Sequence, residues 1–232
     1  MRRALLLEVV SSTTALYNAY DAALTLRPRV VKAMTGGTLS FLGDANAQCL
    51  EVWSRNQQKL QNAPESERHS VQLEQLQFDA RRSLAFTSLA SFWTGPVNHA
   101  WYNLLEAVMP QARSGASQVV AKVAASQLVA NPFGYLPTFY LWTGAVLGRT
   151  LVETRDKATR EYWSTLRATW AVLGTANVVM FAAVPVHYQA TFMAVTSFIY
   201  QNVLSLLANR DRAAVRREKS SSVEPESYQK RS

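Results

Sequence analysis

The sequence predicts an all-α protein, a multi-pass transmembrane helix bundle of four to five helices with amphipathic flanking helices. Three observations carry this. Residues 83–105, 123–148 and 168–209 contain no Asp, Glu, Lys or Arg. A bilayer core needs about 20 apolar residues, so the first two stretches fit one crossing each and the third fits two. Charged residues make up 17% of the 232, below the roughly 25% of soluble domains, and they gather at the ends and in one loop. No stretch alternates polar and apolar residues as a half-buried strand does. The organisation is an N-terminal segment (1–29), a bundle (30–209) with an extramembrane loop (54–77), and a polar basic tail (210–232).

The elements follow in order. MRRALLLEVVSSTTALYNAY has two arginines and an apolar run too short for a secretory core, with Glu8 interrupting it. It reads as an amphipathic surface helix or as a weak organelle-targeting helix. Arg27-Pro28-Arg29 starts a helix, because proline suits the first turn. Val30–Trp53 is mostly apolar or small, but Lys32 and Asp44 intrude, giving a weak span with a buried acid. Gly36-Gly37 lacks the rest of any phosphate-binding motif and reads as a close contact between helices. Ser54–Gln77 is rich in Gln, Glu and Asn, with a loop at Asn62-Ala63-Pro64-Glu65 leading into a helix whose apolar side is Val71, Leu73, Leu76 and Phe78.

The next span contains GPVNHAWY, residues 95–102. A soluble helix would end at Gly95-Pro96, whereas a membrane helix tolerates the break because neighbours re-satisfy the freed backbone. After a linker at Pro110–Gly115 comes the span Val123–Gly148, then a charged helical connector, Arg149–Arg167. Ala168–Asn209 reads as two hydrophobic helices joined by a tight turn at Val184-Pro185-Val186-His187-Tyr188. If all five segments cross, the loop, connector and tail share one side, which collects 17 of the 24 Lys and Arg. The positive-inside rule turns that side to the compartment of synthesis or to the matrix.

Chemistry is sparsely encoded. One cysteine, Cys49, excludes an internal disulfide, and His69, His99 and His187 are far apart. There is no zinc-ligand spacing, P-loop or dinucleotide fingerprint. His99 and Tyr102 share a helix face, but with no nucleophile or orienting group they read as a helix contact rather than an acid–base pair. Either His99 or His187 could ligate haem or chlorophyll, yet nothing requires it, so the sequence implies no cofactor, no metal site and no enzyme. The tail lacks the interleaved aromatics of nucleic-acid binders. Anionic lipids such as cardiolipin are the nearer partner.

Read together, TGGTLSFLGDANAQ, DARRSLAFTSLASFWTGPVNHAWYNLL, KVAASQLVANP, MFAAVPVHYQ and FIYQNVLSLLANR resemble the Mpv-seventeen and twenty-two-kilodalton peroxisomal membrane protein family. These are small multi-pass proteins of the mitochondrial inner and peroxisomal membranes. The resemblance runs from about Tyr20 to Arg210. Its markers are Gly43-Asp44 with Gln48, Asp79 with Arg82, Gly95-Pro96 with Trp101-Tyr102, Lys122 with Gln127 and Pro132, and Val184-Pro185. It implies a channel-like or scaffold role, with Asp44, Gln48, Asp79, Arg82, Lys122 and Gln127 at positions that a pore lining would use. A charge inside a membrane must face a bundle interior or water. The alternative is that Asp44 pairs with Lys32, Arg82 or Lys122 and locks helix packing.

The chain departs from the family pattern in three places. Leu173 to Phe181 replaces a Trp-Pro-x-x-Gln-x-x-Asn-Phe run, Ser126 stands for the Asp of an Asp-Gln pair, and Gln189 stands for the arginine after Val-Pro. These losses suit a structural or accessory subunit of a mitochondrial inner-membrane assembly, with other membrane protein subunits as partners. The other reading is a small-solute channel of the inner or peroxisomal membrane.

Overall fold

Proline and small residues set where the helices begin and how closely they approach. The computed structural model describes residues 2–110, 115–200 and 202, with side chains from residue 12 onward. Helix α1 spans Arg2–Leu26 and bends at Arg27 into α2, Pro28–Asn62, where Pro28 takes the first turn. The third helix, α3 (80–108), joins Ala80–Phe92 to Asn98–Val108 through a wide π turn, Trp93–Val97, that absorbs Pro96. Likewise α4 (116–146) carries an eleven-residue π segment, Ala125–Tyr135, around Pro132. α5 is Leu151–Ala183, widened at Trp170–Gly174. After a two-residue break at Val184 and Pro185, α6 occupies residues 186–200. The helical class is observed, and no strand occurs among the described residues.

By length and hydropathy, one helix among the described residues, Leu151–Ala183, qualifies to cross a membrane. The others are diluted by the polar groups they bury, such as Lys32, Asp44 and Gln48 on α2. The basic tail lies outside the described residues.

Two boundaries depart from expectation. Arg149–Arg167 is no separate connector: Gly148, at φ +73°, turns the chain, Thr150 and Glu153 form a capping box, and one helix then runs unbroken from Leu151 into the apolar stretch. Val71, Leu73, Leu76 and Phe78 form no amphipathic helix, because residues 71–79 are not helical. Asn56 occupies both backbone groups of Glu74, accepting from its N–H at 2.7 Å and donating to its carbonyl at 2.9 Å. A helix would need those same groups. Arg55 and Lys59 also pair with Glu74, so the loop is pinned to the end of its own α2.

α2 and α3 pack antiparallel along a seam of small residues. A Cβ on Gly36 would sit 2.5 Å from Thr94 Oγ1, and one on Gly95 would sit 2.6 Å from Ala33 Cβ and 2.8 Å from the Arg29 carbonyl. This is the helix contact foreseen for the glycine pair. α4 then stacks on α3 through Phe92 and Trp142, whose rings are 5.4 Å apart, and the Trp142 indole donates to Ser88. α5 lies along α4: Tyr140 meets Thr165 at 3.1 Å and the Trp170 indole donates to the Gln127 carbonyl at 2.8 Å. α1 is tied to α6 and α2 by Tyr20, which bonds Thr191 at 2.8 Å and Thr35 at 3.2 Å.

Candidate functional site

Asp44, Gln48 and Glu51 recur at helical spacing on one face of α2 and meet the start of α3. Asp44 is 3% exposed. Its Oδ1 accepts from Arg82 Nε at 2.8 Å, and its Oδ2 accepts from Gln48 Nε2 at 2.8 Å and from Ser83 Oγ. The Arg82 guanidinium also donates to both oxygens of Glu51, at 3.1 and 3.2 Å. Asp79 caps α3 by accepting from the Arg82 backbone N–H, while its own N–H donates to Gln48 Oε1 at 2.8 Å. So Asp44, Gln48, Asp79 and Arg82 form one cluster, and Asp44 is partnered by Arg82 rather than by Lys32 or Lys122. Glu51 and Ser83 complete it. The Glu51 signal was present in the sequence, seven residues after Asp44 on the same face.

The other polar positions sit toward the opposite end of α3. Lys122 is 2% exposed; its ammonium donates to Glu106 at 2.7 Å and stands 5.9 Å from the centre of the Phe181 ring. Lys32, also buried, meets His99 Nδ1 at 3.1 Å, and Asn103 donates to the His99 carbonyl. Tyr102 packs edge-on against Phe181, so His99 and Tyr102 serve different contacts although they share a helix. Gln127 accepts from Asn131 through its side chain. Ser126 accepts from the Trp101 indole at 3.1 Å, and Gln189, 1% exposed, donates to the Val184 carbonyl. Ser126 and Gln189, the positions where the resemblance implies an Asp and an arginine, are thus used in packing.

Between these charged ends lies a central cavity of about 450 Å³. All five helices from α2 to α6 contribute to it, and its polar lining includes Ser40, Thr94, Asn98, Ser126, Asn131 and Asn177. Asp44, Gln48, Asp79, Arg82, His99, Lys122 and Gln127 are not among the lining residues, whereas Tyr102 is. The cavity was missed in the sequence, though one signal pointed to it: the helix-breaking prolines. Each of the three π segments reaches its wall, at Thr94, Asn131 and Leu173 for example. Such widened turns recur at functional sites.

Comparison with known proteins places the sequence among relatives. A sequence profile described as the Mpv17 / PMP22 family matches residues 144–205. Protein sym1 of Schizosaccharomyces pombe is 30% identical over 198 residues, covering 82% of this chain and 89% of that protein. Proteins named mitochondrial inner membrane protein Mpv17 from Bos taurus and from Homo sapiens are each 28% identical over 200 residues, covering 84% of this chain and 99% of theirs. No solved structure matches the chain. The extent of these matches, across most of both partners, makes this chain a member of the Mpv17 / PMP22 family.

Proposed function

We propose that this chain is a multi-pass protein of the mitochondrial inner membrane and that it acts, without catalysing a reaction, as a structural or accessory subunit of a larger membrane assembly. The observation that carries the role is the fate of the buried charges. Asp44 with Arg82 and Glu51, and Lys122 with Glu106, are spent on one another and are absent from the cavity wall. A conducting path would leave such groups facing water.

Burial supports the membrane reading. Fourteen polar or charged side chains are buried among the described residues, as many as the apolar ones, while Phe41, Leu84, Leu128, Phe133, Leu141 and Val179 are exposed. That distribution suits helices whose surroundings are apolar and whose contacts rely on small and polar groups. The names of the relatives from Bos taurus and Homo sapiens support the compartment. Other subunits and anionic lipids such as cardiolipin are the partners, the lipids at the basic side. The cavity itself favours a second reading, passage of a small solute.

One experiment separates the two. The chain lacking residues 211–232 is expected to stay in the membrane through alkaline carbonate extraction but to leave its large complex on native gels. The purified full chain is expected to show no solute flux in liposomes. Unchanged gel migration together with measurable flux would reverse the ranking, and release by carbonate would end the membrane reading.

A further inference from the structure

We propose that the central cavity binds an uncharged cyclic ketone of the quinone class, which enters from the bilayer and accepts a hydrogen bond from the Asn98 amide. The entrance carries the first part. Val129 and Phe133, one turn apart on α4, line the cavity, yet they are 54% and 79% exposed. In the membrane reading, on which this proposal rests, two apolar side chains at an open rim face lipid. A ligand that arrives there is dissolved in the bilayer. The space, about 450 Å³, falls within the roughly 300–1,000 Å³ of small-molecule sites. Phe86, Trp93, Trp101 and Tyr135 wall it, and aromatic faces hold a flat ring by offset and edge-on contacts. Among the described residues no Lys, Arg, Asp or Glu lines it. A charged ligand would lose its solvation there and gain no counter-charge.

The free polar groups then specify the chemistry. Trp101 is committed to Ser126, and Asn131 donates to Gln127. Asn98 is different. It lies on the cavity face of α3, one turn from Thr94 and one from Tyr102, which line the same wall. Its side chain is half-buried rather than enclosed, and among the described residues its amide has no hydrogen-bond partner. Two more lining groups are half-buried and unpartnered in the same way, the Ser197 hydroxyl on α6 and the Trp93 indole. An indole N–H can only donate, and an amide nitrogen brings two further donors. A neutral ring with carbonyl oxygens at opposite ends answers donors on both α3 and α6, and each bond it accepts offsets the cost of an unmade one. This proposal stands apart from the subunit role.

The test uses three probes with the purified full chain in phosphatidylcholine nanodiscs, read by equilibrium dialysis, with empty nanodiscs correcting for partition into lipid. Duroquinone carries both carbonyls, and its four methyl groups leave no open ring position for the exposed Cys49 to attack. Durene keeps the ring and methyl groups without the oxygens, and a trimethylquinone with a carboxylate arm adds a charge. The chain is expected to bind duroquinone saturably, tighter than durene by about 3- to 10-fold for each hydrogen bond accepted, and to ignore the anion. Asn98→Leu is expected to cost duroquinone one such factor and to leave durene no weaker. Ala130→Phe, which puts a ring into the cavity from its wall, is expected to weaken both neutral probes and serves if Asn98→Leu does not fold. Equal binding of duroquinone and durene, a preference undiminished in Asn98→Leu, binding unchanged in Ala130→Phe, or tight binding of the anion would each overturn the proposal, as would no saturable binding. Carbonate extraction tests the membrane reading separately: a chain that stays in the membrane but binds no duroquinone counts against this site alone, whereas release would remove the lipid entrance and the proposal with it.

Discussion

Removing the Asp44 carboxylate breaks a buried polar group with three hydrogen-bond donors, and the structure bounds the cost. The side chain is 3% exposed and accepts from Arg82, Gln48 and Ser83. Stripping one partner from a buried ion pair usually costs roughly 3–5 kcal/mol, because the surviving charge is uncompensated. Here the survivor is not alone. Arg82 is 31% exposed and keeps both contacts to Glu51, and Gln48 Nε2 keeps the Asp79 carbonyl at 3.3 Å. The charge-assisted bond from Arg82 is worth about 1.5–3 kcal/mol by itself, and the Ser83 hydroxyl loses its acceptor. Asp44→Ala should therefore cost about 3 kcal/mol, the lower end of the range. For a chain of this size that is a fall of roughly 6–12 °C in the unfolding midpoint. Circular dichroism melts in nanodiscs measure it. Asp44→Asn keeps an oxygen for Arg82 and should lose roughly half as much. A midpoint for Asp44→Ala within about 2 °C of the parent would refute the reasoning, as would strictly additive losses for Asp44→Ala and Arg82→Ala, since groups in contact should couple.

Three further outcomes follow from the same geometry. Gly95→Ala places a methyl against Ala33 and the Arg29 carbonyl and should cost about 1–3 kcal/mol, whereas Gly174→Ala meets nothing within 4 Å; equal melting of the two proteins would contradict the seam. Glu106→Gln strands the buried Lys122 ammonium and should cost about 3 kcal/mol, while adding Lys122→Met should recover most of it; a double variant no more stable than Glu106→Gln would contradict that pairing. Hydrogen bonds from Arg55 and Lys59 hold the exposed Glu74 carboxyl below its ordinary range. A depressed carboxyl stabilises above its unfolded pKa, near 4.3, and that stabilisation is lost as pH falls through the lower folded value. Hydrogen-exchange protection at residues 71–78, taken relative to the intrinsic rate at each pH, should therefore be high at pH 7 and fall below about pH 4; protection that does not change with pH would show the loop is held by other groups.

What the sequence disclosed follows from which interactions are local. Proline at the first turn of α2 and the break at Val184-Pro185 were legible because they depend on adjacent residues. The passage of α3 through Gly95-Pro96 was legible from the uncharged run on both sides. Arg82 was one of three possible partners for Asp44, and only the antiparallel register of α2 and α3 selects it. Asn56 overrode the apolar pattern at Val71, Leu73, Leu76 and Phe78 by claiming the Glu74 backbone from 18 residues away, a contact that no periodicity encodes. The cavity was least visible. It depends on where three helices widen, and only two of those places, Pro96 and Pro132, carry a residue that announces it.

The glycine seam also divides the molecule mechanically. Along Gly36, Gly37 and Gly95 the two backbones and short side chains already touch, so there is no flexible side chain left to compress and no gap to close. α2 and α3 should respond to stress as one stiff plank. α4 and α5, joined through long aromatic side chains, are the softer half. Any breathing of the central space would then come from α4 to α6 moving against a fixed wall, and a label on α4 should report that motion while one on α2 stays still.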